Sequence, residues 1–509
     1  MESTVKRAAK NVILLFIRQI AALGITLYSV RVVLFVLGAE DYGIYQAVAG
    51  VVTMLQFLTY TMASATQRFF SFALGKRDDD LLNRVFGTNL VVYGCIAAAA
   101  LILLETLGLW FVHTRLHLPA ERFSAAMLIY QFAVAAFMTT LFSAPFVAII
   151  IAHEDMNMLA AISILDALFK LGGVLLLPYM AGDKLILYGV LNILVSLFPT
   201  VSYGAYCTIR YKECRWRKIH FDGAILREIV SFSWWTLFGG LSTILRMQAV
   251  TVLVNQFFTS SVVAARSIAL NVSGAMNSFS TSFNTGIYPP IVKAWSADQR
   301  DEMYYLVNLG CKVAFSLTWL CALPCLMEMD FILSLWLKNA PADTALFARL
   351  AILEALMFSA ALPLATAARA PGKMRGYELT LGLLQMTILP LSYAALKMGG
   401  EAYITLVIGI AVNIVMFVVR LFIVNRLTQL PLRRFVTQVL CPIGLMVAVS
   451  GALGLAVRRC LGSSALYSCL EIVVCIILGV VTAFFLMLRR DERARIISLI
   501  RAKLGRIAA

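Results

Sequence analysis

Charged residues are scarce in this chain of 509 residues. They make up 14% of it, whereas 61% of the residues are apolar. Water-soluble domains carry about 25% charged residues, so this composition excludes an ordinary soluble protein. Because the apolar excess runs through the whole sequence, we expect no soluble domain at either end. The function must therefore depend on residues that lie inside apolar segments.

Sequence motifs for chemistry are absent as well. No glycine-rich phosphate loop of the GxxxxGK[ST] type occurs, which argues against ATP hydrolysis by this chain. The four histidines and ten cysteines form no metal-ligand pattern, and no CxxC pair occurs. We interpret the cysteines as small buried apolar residues. The sequence therefore predicts no catalytic residue, no cofactor and no metal site.

What the chain contains instead is a series of long apolar segments separated by short polar gaps. A helix needs about 20 mostly apolar residues to cross a bilayer. The pattern therefore predicts an all-α polytopic membrane protein with about fourteen transmembrane helices. The segments are Asn11–Leu37, Gly43–Ala65, Val85–Val112, Phe123–Ile151, Met158–Met180, Leu185–Ile209, Ile229–Phe257, Val262–Pro290, Tyr304–Glu328, Thr344–Ala368, Leu379–Leu396, Ala402–Asn425, Val436–Val457 and Ala465–Leu488.

Basic residues outnumber acidic ones by 43 to 27, which gives a net charge of +16. Lysine and arginine concentrate in the cytoplasmic loops of membrane proteins. If the N-terminus is cytoplasmic, the inner loops receive about four times as many basic residues as the outer loops. This bias predicts that both termini are cytoplasmic, and it explains the charge without nucleic acid as a partner.

The order of the segments predicts two matched halves. Residues 1–209 would form an N-terminal lobe of six helices and residues 229–425 a second such lobe, joined by a cytoplasmic linker at 210–228. Six is an even number, so both lobes have the same orientation, as in transporters with parallel repeats. Residues 426–488 would add two further transmembrane helices, and residues 489–509 would form a cytoplasmic basic tail.

Polar side chains recur at helical spacing within several apolar segments. Gln46, Thr53 and Gln56 lie on one stripe of the second segment, and Asn255 and Asn271 belong to similar stripes in the seventh and eighth. A lipid-facing surface gains nothing from such stripes. We therefore predict that they line a polar cavity between the two lobes. The alternative is that these small and hydroxyl-bearing stripes serve as contacts between helices.

Four arginines lie at membrane depth, namely Arg18, Arg31, Arg246 and Arg266. A charge near the bilayer centre costs at least about 2.5–3.5 kcal/mol, so each needs a partner or a function. Arg246 lies in the middle of its segment, with no acid four residues away. The other three could instead reach lipid headgroups from nearer the segment ends. Because the guanidinium group suits phosphate, we predict that these arginines bind an anionic cargo.

Acidic residues are rarer than arginines inside the apolar segments. Glu105 and Asp166, together with Lys170, are candidates for coupling transport to an ion. Asp166 and Lys170 lie four residues apart on one predicted helix, so mutual neutralisation is the alternative.

Local motifs of one family recur along the chain. They are Arg31–Tyr45, Gln67–Phe70, Ala264–Ala269, Trp336–Lys338, Pro371–Lys373 and Leu389–Tyr393. They resemble motifs of the lipid-linked oligosaccharide flippases of the MOP superfamily, and the resemblance covers roughly residues 1–440. In one small departure, the usual small-Gly-Lys turn appears here as Ala370-Pro371-Gly372-Lys373. The resemblance implies two lobes of six helices, alternating access of a central cavity, and cationic residues that meet the pyrophosphate of an undecaprenyl-linked glycan. Arg31 and Arg266 match family motif positions, whereas Arg18 and Arg246 rest on burial alone.

The function predicted from these features is a flippase, not an enzyme, for surface polysaccharide or lipopolysaccharide biosynthesis in a bacterial inner membrane. Its expected partners are an undecaprenyl-diphosphate-linked glycan, membrane lipids and the polysaccharide polymerase machinery. One alternative is a MATE-like cation-coupled exporter of small molecules, which would favour acids over arginines in its cavity. Another is a membrane glycosyltransferase or polymerase, for which Glu40 and Asp41 are the only candidate acids.

Overall fold

The computed structural model describes most of the chain, and every regular element in the described part is a helix. Arg18, Arg31, Gln46 and Glu40 lie outside the described residues. The described residues are 24–25, 28–29, 32–33, 35–38, 41–45, 48–115, 119–214, 221–258, 260–336, 341, 343–460, 465–487 and 493.

Thirteen long helices follow one another from residue 56 onward in the described part of the chain. The first seven are α1 (Gln56–Lys76), α2 (Asp79–Thr114), α3 (Phe123–Ala152), α4 (Met156–Tyr179), α5 (Lys184–Arg210), α6 (Gly223–Phe257) and α7 (Ser260–Ser296). The others are α8 (Arg300–Met327), α9 (Thr344–Arg369), α10 (Met374–Lys397), α11 (Ile404–Thr428), α12 (Leu432–Arg459) and α13 (Ala465–Met487). A short helix, Met329–Trp336, follows α8.

Eleven of these helices are long and apolar enough to cross a membrane. The two that fall short of this criterion among the described helices, α1 and α7, lie where the sequence carries its longest polar stripes. The first predicted segment, Asn11–Leu37, lies largely outside the described residues. A multi-pass membrane protein is thus confirmed, and the count of fourteen helices stays a prediction.

Helix ends follow ordinary capping chemistry. Asp78 precedes α2, and its carboxylate accepts the backbone N–H of Leu81 at 2.9 Å. Asp183 caps α5 in the same way, through the N–H of Leu185 at 2.9 Å. Such caps satisfy donors that have no partner within the helix. Acidic residues before an apolar run therefore mark where these two spans begin.

The chain divides into two compact units. Unit 1 comprises Met1–Leu241 and Tyr288–Gln299, and unit 2 comprises Ser242–Ile287 and Arg300–Ala509. The boundaries fall inside α6 and α7, so one end of each of these helices belongs to unit 1. The lobes and the linker predicted from the sequence stay a prediction.

Close helix packing in unit 1 depends on small residues. A Cβ atom at Gly189 on α5 would lie 2.6 Å from Ile129 Cδ1 and 2.7 Å from a Phe132 ring carbon on α3. The absence of a side chain there lets the two backbones approach each other. The contact brings the polar side chains of α5 and α3 to one cavity.

Candidate functional site

Unit 1 contains a cavity of about 240 Å³ bounded by the segment before α1 and by α3, α4 and α5. Three residues predicted from the sequence, Thr53, Gln56 and Lys170, line it. The polar lining of the cavity also includes Tyr45, Thr140, Asn192 and Ser196.

Most hydroxyl groups in this cavity already donate to helix carbonyls. Thr53 Oγ1 donates to the Gly50 carbonyl at 2.9 Å, and Ser196 Oγ donates to the Ile193 carbonyl at 2.8 Å. A hydroxyl oxygen that donates in this way keeps lone pairs for accepting hydrogen bonds. The cavity wall therefore offers acceptors to a ligand rich in hydroxyl groups.

The charge of Lys170 at this cavity is compensated. Its ammonium group lies 2.8 Å from Asp166 Oδ2 on the same helix, and the lysine side chain is 53% exposed. Asp166 and Lys170 thus form an ion pair. Their mutual neutralisation was the alternative to a role in ion coupling. The cavity of unit 1 is consequently polar without a large net charge from this pair.

A second cluster of polar groups lies in unit 2. Arg246 on α6 lies 3.1 Å from Glu354 Oε1 on α9, and both side chains are largely buried. The same carboxylate oxygen accepts a hydrogen bond from Asn413 Nδ2 on α11 at 3.0 Å. The acid that Arg246 lacks on its own helix is therefore supplied by another helix.

Arg266 belongs to the same neighbourhood of unit 2. It is 3% exposed, and its Nη1 donates to Thr405 Oγ1 at 3.3 Å. Glu354 and Arg246 are close enough to act on its guanidinium group electrostatically. A side chain buried to this degree does not extend to the lipid headgroups, which was the alternative explanation for it. The cluster thus sets two guanidinium groups against one carboxylate.

The remaining predicted site residues are not brought together by the described part of the structure. Asn255 on α6 and Asn271 on α7 have exposed side chains. Glu105 lies in a π-helical turn of α2, where it accepts a hydrogen bond from Gln131 Nε2 at 3.1 Å. Arg18, Arg31 and Gln46 lie outside the described residues, so their roles stay predictions.

Asp41, a candidate acid for a glycosyltransferase, takes part in an ion-pair network. Arg122 bridges two carboxylates, with Nη2 at 2.9 Å from Asp41 Oδ2 and Nη1 at 2.6 Å from Asp183 Oδ2. Because Asp183 also caps α5, this network ties together three segments of unit 1. The arrangement gives Asp41 a structural role at the position before Tyr42.

Sequence reasoning missed several polar residues of both clusters. Asn192 and Ser196 lie in the cavity of unit 1, and Asn413 and Thr405 contact the charged groups of unit 2. The sequence feature that could have indicated these residues is an amide or hydroxyl side chain inside a strongly apolar segment. Spacing along one helix could not have indicated Asn413 and Thr405, because the charged groups that they contact lie on other helices.

Unit 1 also holds the end of α7 against earlier elements of the chain. Lys293 Nζ on α7 lies 2.7 Å from Glu154 Oε1, in the turn between α3 and α4. A Cβ atom at Gly75 on α1 would lie 1.7 Å from Ser296 Oγ and 2.8 Å from the Lys293 carbonyl oxygen. These contacts fix α7 at two points within unit 1.

In the polar loops of unit 1, neighbouring groups lower the pKa of two carboxylates. The backbone N–H groups of Ile225 and Ala224, and then Arg84, lower the pKa of Asp222 below its ordinary value. At Glu213 burial acts to raise the pKa, but the hydrogen bond from His153, a backbone hydrogen bond and the charge of His153 together lower it below its ordinary value. The His153 Nε2 to Glu213 Oε1 distance is 2.6 Å. Both carboxylates are thus held in their charged form.

The chain matches a known protein family. The sequence profile of the polysaccharide biosynthesis protein family matches residues 8–295, which is more than half of the chain. No curated protein sequence matches the chain.

Solved structures of MATE transporters are similar in fold. The structure of a MATE point mutant superposes with a TM-score of 0.72 at 13% identity, over 83% of this chain and 97% of that one. An outward-facing multidrug resistance MATE transporter of the MOP superfamily gives 0.71 at 15% identity, with the same coverage. A eukaryotic MATE transporter gives 0.65 at 13% identity, over 85% of this chain and 99% of that one. The described helices therefore have a MATE-like fold.

Proposed function

We propose, because this chain belongs to the polysaccharide biosynthesis protein family, that it is a flippase for a lipid-linked oligosaccharide. Family and fold are those of MOP-superfamily transporters. The proposed cargo is an undecaprenyl-diphosphate-linked glycan that crosses the bacterial inner membrane without any bond being made or broken. Both chain termini would lie in the cytoplasm, and the polysaccharide polymerase machinery would take up the product.

The observation that carries this proposal is the pair of arginines in unit 2. Arg246 pairs with Glu354, whereas Arg266 bonds to Thr405 and interacts with Glu354 only electrostatically. The cluster therefore holds two guanidinium groups and one carboxylate. Positive charge is costly inside membrane-spanning helices. A diphosphate would compensate this cost by accepting charge-assisted hydrogen bonds from the two guanidinium groups.

The cavity of unit 1 supports the proposal in a different way. Its threonine, serine and asparagine side chains present acceptors and amide groups without strong charge. Sugars are recognised through many hydroxyl groups, each of which can donate and accept. We assign this cavity to the glycan and the arginines of unit 2 to the diphosphate, while the lipid tail stays in the bilayer.

The test is translocation of a fluorescently labelled lipid-linked glycan in proteoliposomes. Arg246→Gln and Arg266→Gln each remove a charge-assisted hydrogen bond, so initial rates should fall by about tenfold to a hundredfold. Arg349→Gln is the matched control. Arg349 lies on α9, the helix that carries Glu354, and pairs with Asp330 at 2.7 Å, but that acid is 69% exposed.

Unchanged rates in both arginine variants would remove the diphosphate assignment. In cells, the same variants should accumulate the lipid-linked precursor on the cytoplasmic face. Normal surface glycan in cells with either arginine variant would likewise remove the site assignment.

A cation-coupled exporter of small molecules is the second candidate. It is favoured by the similarity to MATE structures over 83% of the chain and by Glu354, whose carboxylate could exchange its arginine for a cation. Glu354→Gln would then abolish the efflux of lipophilic cationic dyes driven by a sodium or proton gradient. An exporter should show such efflux in the unmodified protein, whereas a flippase should not.

A further inference from the structure

A separate cavity of about 230 Å³ lies in unit 2, between the start of α8, the start of α12 and the end of α13. None of the residues predicted to bind the cargo lines it. Its polar and charged lining includes Asp301, Asn308, Lys312, Arg434 and Gln438.

One wall of the cavity is a single face of α8. Asp301, Tyr304, Asn308 and Lys312 line it and are spaced by three or four residues. Residues at this spacing lie above one another on a helix. The face runs from the first turn of α8 towards the interior of the span, so the cavity is a polar recess at one end of the helices.

The inner end of the recess holds a buried lysine. Lys312 is 5% exposed, and its ammonium group donates to the Met487 carbonyl at 2.9 Å. Met487 is the last residue of a π-helical turn, Ala483–Met487, in α13. Gln438 on the opposite wall belongs to a second π-helical turn, Val436–Leu440. Such turns are rare, and they occur frequently at functional sites.

The outer part of the recess holds an exposed arginine. Arg434, in the first turn of α12, lines the cavity, whereas its neighbour Arg433 is also exposed but does not. The recess thus places a cation at each end. This arrangement favours an anionic group that lies between Lys312 and Arg434.

The recess also offers hydrogen-bond acceptors. The Asn308 Oδ1 atom is buried and accepts no hydrogen bond in the described part of the chain. A buried acceptor without a donor costs about 1–3 kcal/mol. The Asp301 carboxylate lies on the same face. A ligand that suits this site therefore combines an anionic part with groups that donate hydrogen bonds.

We propose that this recess binds the phosphate of an anionic phospholipid whose headgroup carries hydroxyl groups, as in phosphatidylglycerol. The phosphate would accept hydrogen bonds from Lys312 and Arg434, and the headgroup hydroxyls would donate to Asn308 and Asp301. The lining elements belong to helices apolar enough to span a membrane, which brings the recess within reach of lipid headgroups. The proposal does not depend on the identity of the transported cargo.

The test uses the full-length protein purified in detergent, with retained lipids counted by native mass spectrometry after incubation with phosphatidylglycerol or phosphatidylcholine. Phosphatidylglycerol should be retained preferentially, because choline has no hydrogen-bond donor and neutralises the phosphate charge. Arg434→Gln removes an exposed charge and should weaken retention about two- to fivefold. Lys312→Met removes a buried charged donor and should weaken it about tenfold or more.

Arg433→Gln is the matched control, since it removes the same charge one residue outside the cavity. Its retention of phosphatidylglycerol should equal that of the unmodified protein. Equal losses in Arg433→Gln and Arg434→Gln, or equal retention of the two lipids, would overturn the proposal. Because Arg434 is exposed, its substitution keeps the test decisive even if Lys312→Met fails to fold.

A further arm separates a lipid from a free phosphate as the source of the anionic group. Inorganic phosphate at millimolar concentration should leave the bound phosphatidylglycerol in place. Displacement by phosphate that requires Arg434 but not Arg433 would keep the phosphate site and reject the lipid headgroup as its ligand.

Discussion

The cavity of unit 1 is lined by hydroxyl and amide groups, whereas the cluster of unit 2 contains two arginines and one glutamate. In unit 1 the nearby charges, Asp166 and Lys170, lie on one helix, and the lysine is half exposed. In unit 2 the charges come from different helices and are largely buried. The two units thus hold different chemistry, and the proposed cargo likewise has a sugar part and a charged part.

The largest expected effect comes from removing the shared acid of unit 2. Glu354→Leu leaves Arg246 buried without its carboxylate, and we expect a loss of stability of about 3–5 kcal/mol. Thermal unfolding of the purified protein in detergent measures this loss. Arg246→Met combined with Glu354→Leu should restore most of it, because an apolar pair replaces an ion pair at little cost.

The matched change in unit 1 concerns the ion pair of Asp166 and Lys170. Asp166→Asn disrupts an ion pair whose lysine is 53% exposed, so the loss should stay below about 1 kcal/mol. Equal losses for Glu354→Leu and Asp166→Asn in the same unfolding assay would mean that the two charge pairs do not differ in burial as described.

A bulky residue at Gly75 should have the next largest effect. A valine side chain would meet the Lys293 backbone, because even a Cβ atom would lie 2.8 Å from its carbonyl oxygen. Overpacking of this kind costs about 1–3 kcal/mol. We expect Gly75→Val to lower the unfolding temperature, and Gly94→Val, where no atom lies within 4 Å of an added Cβ, to leave it nearly unchanged.

Substitutions in the cavity of unit 1 should impair transport without affecting the fold. Thr53 and Gln56 are exposed to the cavity, so Thr53→Val and Gln56→Leu remove neutral hydrogen bonds worth about 0.5–1.5 kcal/mol each. The translocation rate should fall a few-fold per substitution, with unchanged unfolding. Losses as large as those of the arginine variants would mean that the cavity, not the arginine pair, carries the main recognition.

The smallest expected effect concerns pH. The pKa of Glu213 is lowered from its ordinary value of 4.5 by the hydrogen bond from His153, against the effect of burial. The carboxylate therefore contributes stability that is present above pH 4.5 and is lost as the pH falls through the lowered pKa. Glu213→Gln should reduce the fall of the unfolding temperature as the pH decreases below 4.5. Glu121→Gln, at an exposed position, should leave that fall unchanged.

The sequence predicted the helical spans well where apolar segments have clear ends. The segment Leu185–Ile209 corresponds to α5 (Lys184–Arg210), which begins after the Asp183 cap. The partner of Arg246 could not be predicted in this way. Helical spacing identifies acids three or four residues away, while Glu354 lies on a helix more than 100 residues further along the chain. Tertiary packing, which spacing along one helix does not encode, decides such pairs.

The most direct test of the account is equilibrium binding of undecaprenyl diphosphate, without any sugar, to the purified protein. We expect Arg246→Gln and Arg266→Gln to weaken this binding by about tenfold or more. The variants that should leave the binding unchanged are Arg349→Gln, Thr53→Val and Gln56→Leu. Equal affinity of the unmodified protein and both arginine variants for undecaprenyl diphosphate would contradict this expectation.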